Sequence, residues 1–437
     1  MFDYSAKKIT VEQALAMVKS GDNVTVGMAG AEPKEFLGKL HTIADRVEDV
    51  TITSCLSTAP GEYLSEKYLE KAFKLDSWFY SPPLRKLNKT GRVSFIPNHL
   101  HFAGSKRNFY KKADIFVCSA AMPEESGRIR FSCGNVYEEE VAKLADIVIL
   151  EISPNIPHSF GDNYLEWDDI DYVVESDYYL PEIPDIAPNE KDLAIGRLIA
   201  EHISDGDCVQ VGIGGIPNAV CASLYDKKDL GIHTEMMTTG IMRLMKAGVV
   251  NGSKKQMDVG KVVCAFALGS QEMYEFMHEH PDILVKRGNW VNDPYAIAQN
   301  DNQVSINTSV EVDLTGQCCS ESVGPAQISG TGGQSDTAVG AQNSKNGRSF
   351  IALYSTAMVR NPETGIKEEV SKIVPMLRQG AAVSLSRNDV DWVVTEYGAV
   401  NLRGTSVRDR AELLISIAHP KFREELRAAA RELLFWV

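Results

Sequence analysis

The sequence predicts an α/β fold made of two related open domains, each a parallel-rich sheet covered by helices, on three observations. A motif occurs twice, as Gly21-Asp22-Asn23-Val24-Thr25-Val26-Gly27-Met28-Ala29-Gly30 and as Gly206-Asp207-Cys208-Val209-Gln210-Val211-Gly212-Ile213-Gly214-Gly215. Short apolar runs introduced by aspartate, Asp114-Ile115-Phe116-Val117-Cys118, Asp146-Ile147-Val148-Ile149-Leu150 and Asp391-Trp392-Val393-Val394, suit strands covered on both faces, as in a central parallel sheet. The 437 residues exceed one ordinary core, so two domains are the natural division.

Each copy of the motif reads as a turn, a short β-branched strand and a glycine loop that opens a helix. A helix-like stretch precedes each copy. In the first, Thr10 and Gln13 form a capping box ahead of Val11, Ala14, Leu15 and Val18 at helical spacing. In the second, Leu193, Ile195, Leu198, Ile199 and Ile203 recur with similar periodicity. Duplication explains both. The stretch Leu180–Asn189 carries Pro181, Pro184 and Pro188 with no strong period and reads as the linker, giving domains 1–185 and 186–437. From Val407 through Arg431 helical patterns return, broken at His419-Pro420.

Composition narrows the function. Forty-five Lys plus Arg against fifty-nine Asp plus Glu leave a formal charge of −14, which argues against a nucleic-acid or anionic-membrane binder, although glycine amides can still hold an anionic ligand locally. Eight cysteines without a C-x-x-C pair, most in apolar runs, suit buried reduced thiols and a cytoplasmic protein. The amino-terminal stretch lacks a signal-peptide pattern, and no apolar run is long enough to span a bilayer.

The most informative segment is Gly231-Ile232-His233-Thr234-Glu235-Met236, which places a carboxylate where a strand should end, just after the glycine turn Gly212-Ile213-Gly214-Gly215-Ile216-Pro217. A second glycine turn, Ser329-Gly330-Thr331-Gly332-Gly333-Gln334, follows. One nucleophile and two sets of exposed amides suit acyl transfer. The first turn is no dinucleotide fingerprint, because Pro217 holds the place of the third glycine. In the first domain, Val50–Cys55 offers no carboxylate at the corresponding place, so its loop Gly27-Met28-Ala29-Gly30 is expected to wall the acyl pocket. His99 and His101, alternating in a strand-like run, could point together into the cleft and are read either as substrate contacts of the acyl pocket or as an ordinary partly buried pair. His278-Glu279-His280 puts its histidines on different faces of a helix, so no metal site is expected.

These segments together resemble the acetyl-CoA hydrolase/transferase family, in particular its CoA-transferases acting on butyrate or 4-hydroxybutyrate. The resemblance extends through Ser305-Ile306-Asn307, Val312–Gln317, Thr395-Glu396-Tyr397-Gly398 and Ile417–Arg423, is weaker between residues 50 and 140, and departs at Thr337, where phenylalanine is expected after Asp336. It implies that Glu235 is the nucleophile that becomes covalently attached to coenzyme A. It further implies that Gly212, Ile213, Gly214, Gly215, Ile216, Gly330, Thr331, Gly332 and Gly333 line the CoA and oxyanion site, with Arg360 near a CoA phosphate. No permanent cofactor is implied, since CoA is both substrate and covalent intermediate. The expected partners are a short-chain acyl-CoA and a carboxylate such as acetate, in a homo-oligomer. An acyl-CoA hydrolase and a catalytically dead CoA-binding regulator are the alternatives.

Overall fold

A computed structural model describes residues 2–58, 61–360 and 364–433. It is an α/β molecule organised around two large sheets. The first contains seven strands in the order Tyr172–Glu175, Ile147–Ser153, Ile115–Ala121, Asn23–Val26, Val50–Ser54, Phe73–Ser77 and Val93–Phe95, every pair parallel. The second runs Gly398–Asn401, Trp392–Thr395, Arg348–Ala352, Gln303–Thr308, Cys208–Val211, Gly231–Met237, Val262–Ala267, Ile283–Val285 and Phe160–Gly161. Only the pair Trp392–Thr395 and Gly398–Asn401 is antiparallel there.

With its outermost strands removed, the second sheet repeats the topology of the first. In each, the strand of the repeated motif lies at the centre, the next strand in sequence sits on one side, and the later crossovers return on the other. The duplication in the sequence is therefore a duplication of the winding. Phe160–Gly161 departs from it, because this strand from the first half of the chain pairs with Ile283–Val285 of the second sheet.

The aspartates that introduce strands have a structural job. Asp114 accepts the Asn23 N–H at 2.6 Å and Asp391 accepts that of Ser349 at 3.1 Å, so each satisfies a donor at the start of a neighbouring strand. Both helices ahead of the repeated strands start on complete capping boxes, Thr10 with Gln13 and Asn189 with Asp192. All eight cysteines are buried and free. Among the described residues no helix is long and apolar enough to cross a membrane.

The two halves share a core. One apolar cluster draws Met28, Cys55, Trp78 and Leu100 from the first half and Met236, Phe266 and Leu268 from the second. Polar contacts reinforce this seam: the Tyr80 N–H donates to Ser329 O at 3.2 Å, and Arg85 Nε donates to Ile328 O at 2.6 Å.

Two expectations are corrected. His99 and His101 do not lie in a strand: the chain leaves the sheet after Phe95, and Leu100–Phe102 forms a single 3-10 turn, the extended run having been interrupted at Pro97. Nor are His278 and His280 on a helix, which ends at Met277; His278 Nδ1 instead accepts the His158 N–H at 3.2 Å.

A tight helix contact gives a stability test. The helix Glu190–Ala200 crosses Gly215–Ala222 at Gly196, where an added Cβ would lie 2.7 Å from the carbonyl carbon of Ala219. Gly196→Ala, which would add about 1 kcal/mol of stability to an open helix, should here lower it by about 1–3 kcal/mol through overpacking, seen as an earlier urea midpoint.

Candidate active site

The strand Gly231–Met237 is held by parallel neighbours on both sides, and its carboxyl end points into the seam between the halves. This is where α/β sheets bind ligands, beyond the carboxyl ends of their strands. A cavity of about 240 Å³ opens there and contains Glu235.

Glu235 is partly exposed, through this cavity, and is gripped from two sides. Asn292 Nδ2 donates to its Oε2 at 3.0 Å, and the Gly333 N–H supplies a second hydrogen bond. Burial pushes its pKa up to about 7, the Asn292 and Gly333 hydrogen bonds oppose that rise, and the negative charge of Asp336 adds to it. A carboxylate in this state is poorly hydrated yet directed, as attack on an acyl carbon requires.

The second glycine turn is built around this contact. A Cβ on Gly333 would fall 2.0 Å from Glu235 Oε2 and 2.2 Å from Asn292 Nδ2. On Gly330 it would meet Trp78 O at 2.3 Å, so the turn is pressed between the nucleophile strand and the first half of the chain. Gly330, Thr331, Gly332 and Gly333 all line the cavity. Of the first turn, Gly212 and Ile213 line it together with Pro217. Gly214, at φ +114, caps the helix Gly215–Ala222, and Gly215 and Ile216 form that helix's first residues. A Cβ on Gly215 would lie 2.4 Å from Asp192 Oδ2, so this glycine admits the neighbouring helix start.

From the first half, Met28 lines the cavity. Ala29 and Gly30 belong to a buried 3-10 turn behind it, where the Gly30 carbonyl accepts from the Ser119 and Ser132 hydroxyls at 3.1 Å each. His99 and His101 do point together, but into a different cavity of about 850 Å³. There His101 Nδ1 lies 2.8 Å from Asp336 Oδ1, and Leu100 between them faces Glu235's cavity instead. Arg360 is exposed at the end of the hairpin strand Thr356–Arg360 and is not among the cavity's lining residues. Glu396 is structural: it accepts the Ser355 N–H at 2.8 Å and pairs with Lys191 at 2.9 Å. Thr337 is absorbed into a polar knot, its hydroxyl accepting from Ser305 Oγ and Asn307 Nδ2 at 3.0 Å.

The sequence reading missed Asn292, and with it the apolar wall of Leu56, Phe79, Leu100 and Phe266. No local pattern marks Asn292, which is 57 positions from Glu235. It is placed by His233, whose Nε2 lies 2.8 Å from Val291 O, tying the Asn292 segment to the nucleophile strand. Gly333→Ala should therefore abolish turnover by displacing Glu235 or Asn292 while leaving the far-ultraviolet dichroism unchanged; substantial residual activity would contradict the contact.

Residues 2–183 match the acetyl-CoA hydrolase/transferase N-terminal domain and residues 269–430 match the C-terminal domain. The chain is 41% identical to succinyl-CoA:cyclohexane-1-carboxylate CoA transferase of Geobacter metallireducens, over 99% of this chain and 96% of that protein. It is 39% identical to 4-hydroxybutyrate coenzyme A transferase of Clostridium kluyveri, over 97% of each. Among solved structures, RipA from Yersinia pestis superposes with a TM-score of 0.90 at 35% identity, covering 99% of this chain and 98% of that one. The two family models, together with relatives that align over almost the whole chain, place it in the acetyl-CoA hydrolase/transferase family as an enzyme of that family.

Proposed function

We propose that the protein is an acyl-CoA:carboxylate CoA-transferase that moves CoA between a short-chain acyl-CoA, butyryl-CoA or 4-hydroxybutyryl-CoA, and a free carboxylate such as acetate. The observation that carries this reading is a partly buried carboxylate, Glu235, hydrogen-bonded by the Asn292 amide and the Gly333 N–H and lining a largely apolar cavity. In this mechanism a Glu235 oxygen attacks the thioester carbonyl, the C–S bond breaks and CoA leaves as the thiolate. The mixed anhydride that remains is attacked by that thiolate at the glutamyl carbonyl, the anhydride C–O bond breaks, and the acyl group departs as its carboxylate. An acceptor carboxylate then reverses both steps on the glutamyl-CoA thioester.

The residues support each demand of the scheme. Asn292 and the Gly333 N–H flank Glu235's own carboxyl group, so they are positioned to stabilise the oxyanion formed when thiolate adds there. Backbone amides of the Gly330–Gly333 turn lie beside the same cavity for the acyl oxyanion. The apolar wall from the first half excludes water, which would otherwise hydrolyse the anhydride. No step needs a metal or ATP.

Incubation with butyryl-CoA, borohydride or hydroxylamine quenching and peptide mass spectrometry should find modification confined to Glu235 and absent from Glu235→Ala; an active enzyme without a Glu235 adduct would overturn the reading. Attack requires the ionised carboxylate, so kcat/KM for acyl-CoA should fall as pH drops below about 7, by about tenfold per pH unit at the acid end. A profile flat from pH 5 to pH 8 would contradict the assignment.

A further inference from the structure

We propose that the acyl site selects uncharged chains, accepting monocarboxylic acyl groups and rejecting dicarboxylic ones such as succinyl; this rests on the transferase reading of the same cavity. The proposal stands on what the cavity offers a ligand. Its apolar wall is Met28, Leu56, Phe79, Leu100, Met236 and Phe266. Among the described residues that line it there is no Lys, Arg or His, and Glu235 is the acidic one. Cys55 also lines it, but burial pushes its thiol well above the usual thiol range, so it contributes no cation and no ready anion.

The polar groups strengthen the same bias. Gln334 is 6% exposed and lines the cavity, and its Nε2 donates to Thr308 O at 3.0 Å. That bond leaves Oε1 buried without a partner, an acceptor oxygen whose partial charge repels a nearby carboxylate. The nearby imidazoles are turned away: His99 and His101 face the other cavity, where Asp336 takes up both rings. Asp336 itself adds a second negative charge that Glu235 feels through the glycine turn.

A terminal carboxylate on the acyl chain would thus lose water, find no cation and face Glu235 at short range. A terminal methyl would lose nothing, and a terminal hydroxyl, being uncharged, would lose far less than a carboxylate. Unit charges ~6 Å apart at an effective dielectric of ~20 repel enough to cost about 100-fold. This separates the chain from its Geobacter relative, which is named for succinyl-CoA.

The test is a matched four-carbon series, butyryl-CoA, 4-hydroxybutyryl-CoA and succinyl-CoA, with acetate as acceptor at pH 8. The expected kcat/KM for succinyl-CoA is roughly 100-fold below that for butyryl-CoA, with 4-hydroxybutyryl-CoA within tenfold of butyryl-CoA. Calorimetric affinities of the three matching dethia analogues, in which methylene replaces the thioester sulfur, for the wild-type protein and for Glu235→Gln run alongside, because these analogues bind without transferring CoA to Glu235. Weak binding of the succinyl analogue that is only partly restored in Glu235→Gln supports the charge-free wall. Succinyl-CoA within threefold of butyryl-CoA in rate, or in affinity where no thioester turns over, overturns it. Absence of transfer from all three, with the affinity order retained, would refute the transferase reading and leave the charge selection standing.

Discussion

Everything at this site depends on one partly buried carboxylate held at the junction of two sheets. Glu235 is only partly exposed, and Asn292 and the Gly333 N–H give its carboxyl group direction. Burial makes ionisation costly and those two donors partly offset the cost, leaving a group that titrates near neutrality. The surrounding architecture serves this balance. Gly333 carries no side chain because a Cβ there would fall on the carboxylate, and His233 anchors the loop that brings Asn292 into contact.

The duplicated winding explains why the cavity lies where it does. Met28 follows the first repeated strand as Ile213 follows the second, and both line the cavity. Cys55 follows the strand Val50–Ser54, the topological counterpart of Gly231–Met237, and faces the same space as Glu235. The two halves thus present equivalent strand ends to each other across the seam. One half contributes a carboxylate and the other a small buried thiol, so the cavity is chemically one-sided although its frame is nearly two-fold.

That one-sidedness extends to the lining. The first half supplies Met28, Leu56, Phe79 and Leu100, an apolar surface. The second supplies Gln210, Asn307, Thr331, Gln334 and the glycine amides beside Met236 and Phe266. A cavity of about 240 Å³ lies below the roughly 300–1,000 Å³ of sites for drug-sized ligands, in keeping with a small acyl group.

The sequence by itself determined the local and periodic features: the repeated strand-and-glycine motif, the capping box at Thr10 and Gln13, the buried strands introduced by aspartate, and a carboxylate near the end of one of them. Each depends on neighbours in the chain, through hydrogen bonds within a turn or alternation along a strand, so residue order suffices. Residue order failed at His99 and His101, whose spacing looked like a strand until Pro97 turned the chain, and at Arg360, which a hairpin carries away from the cavity. Asn292, the apolar wall and the absence of any cation among the described residues that line it were decided only by the tertiary structure. They come from segments tens to hundreds of residues apart, brought together because two sheets must bury one shared core.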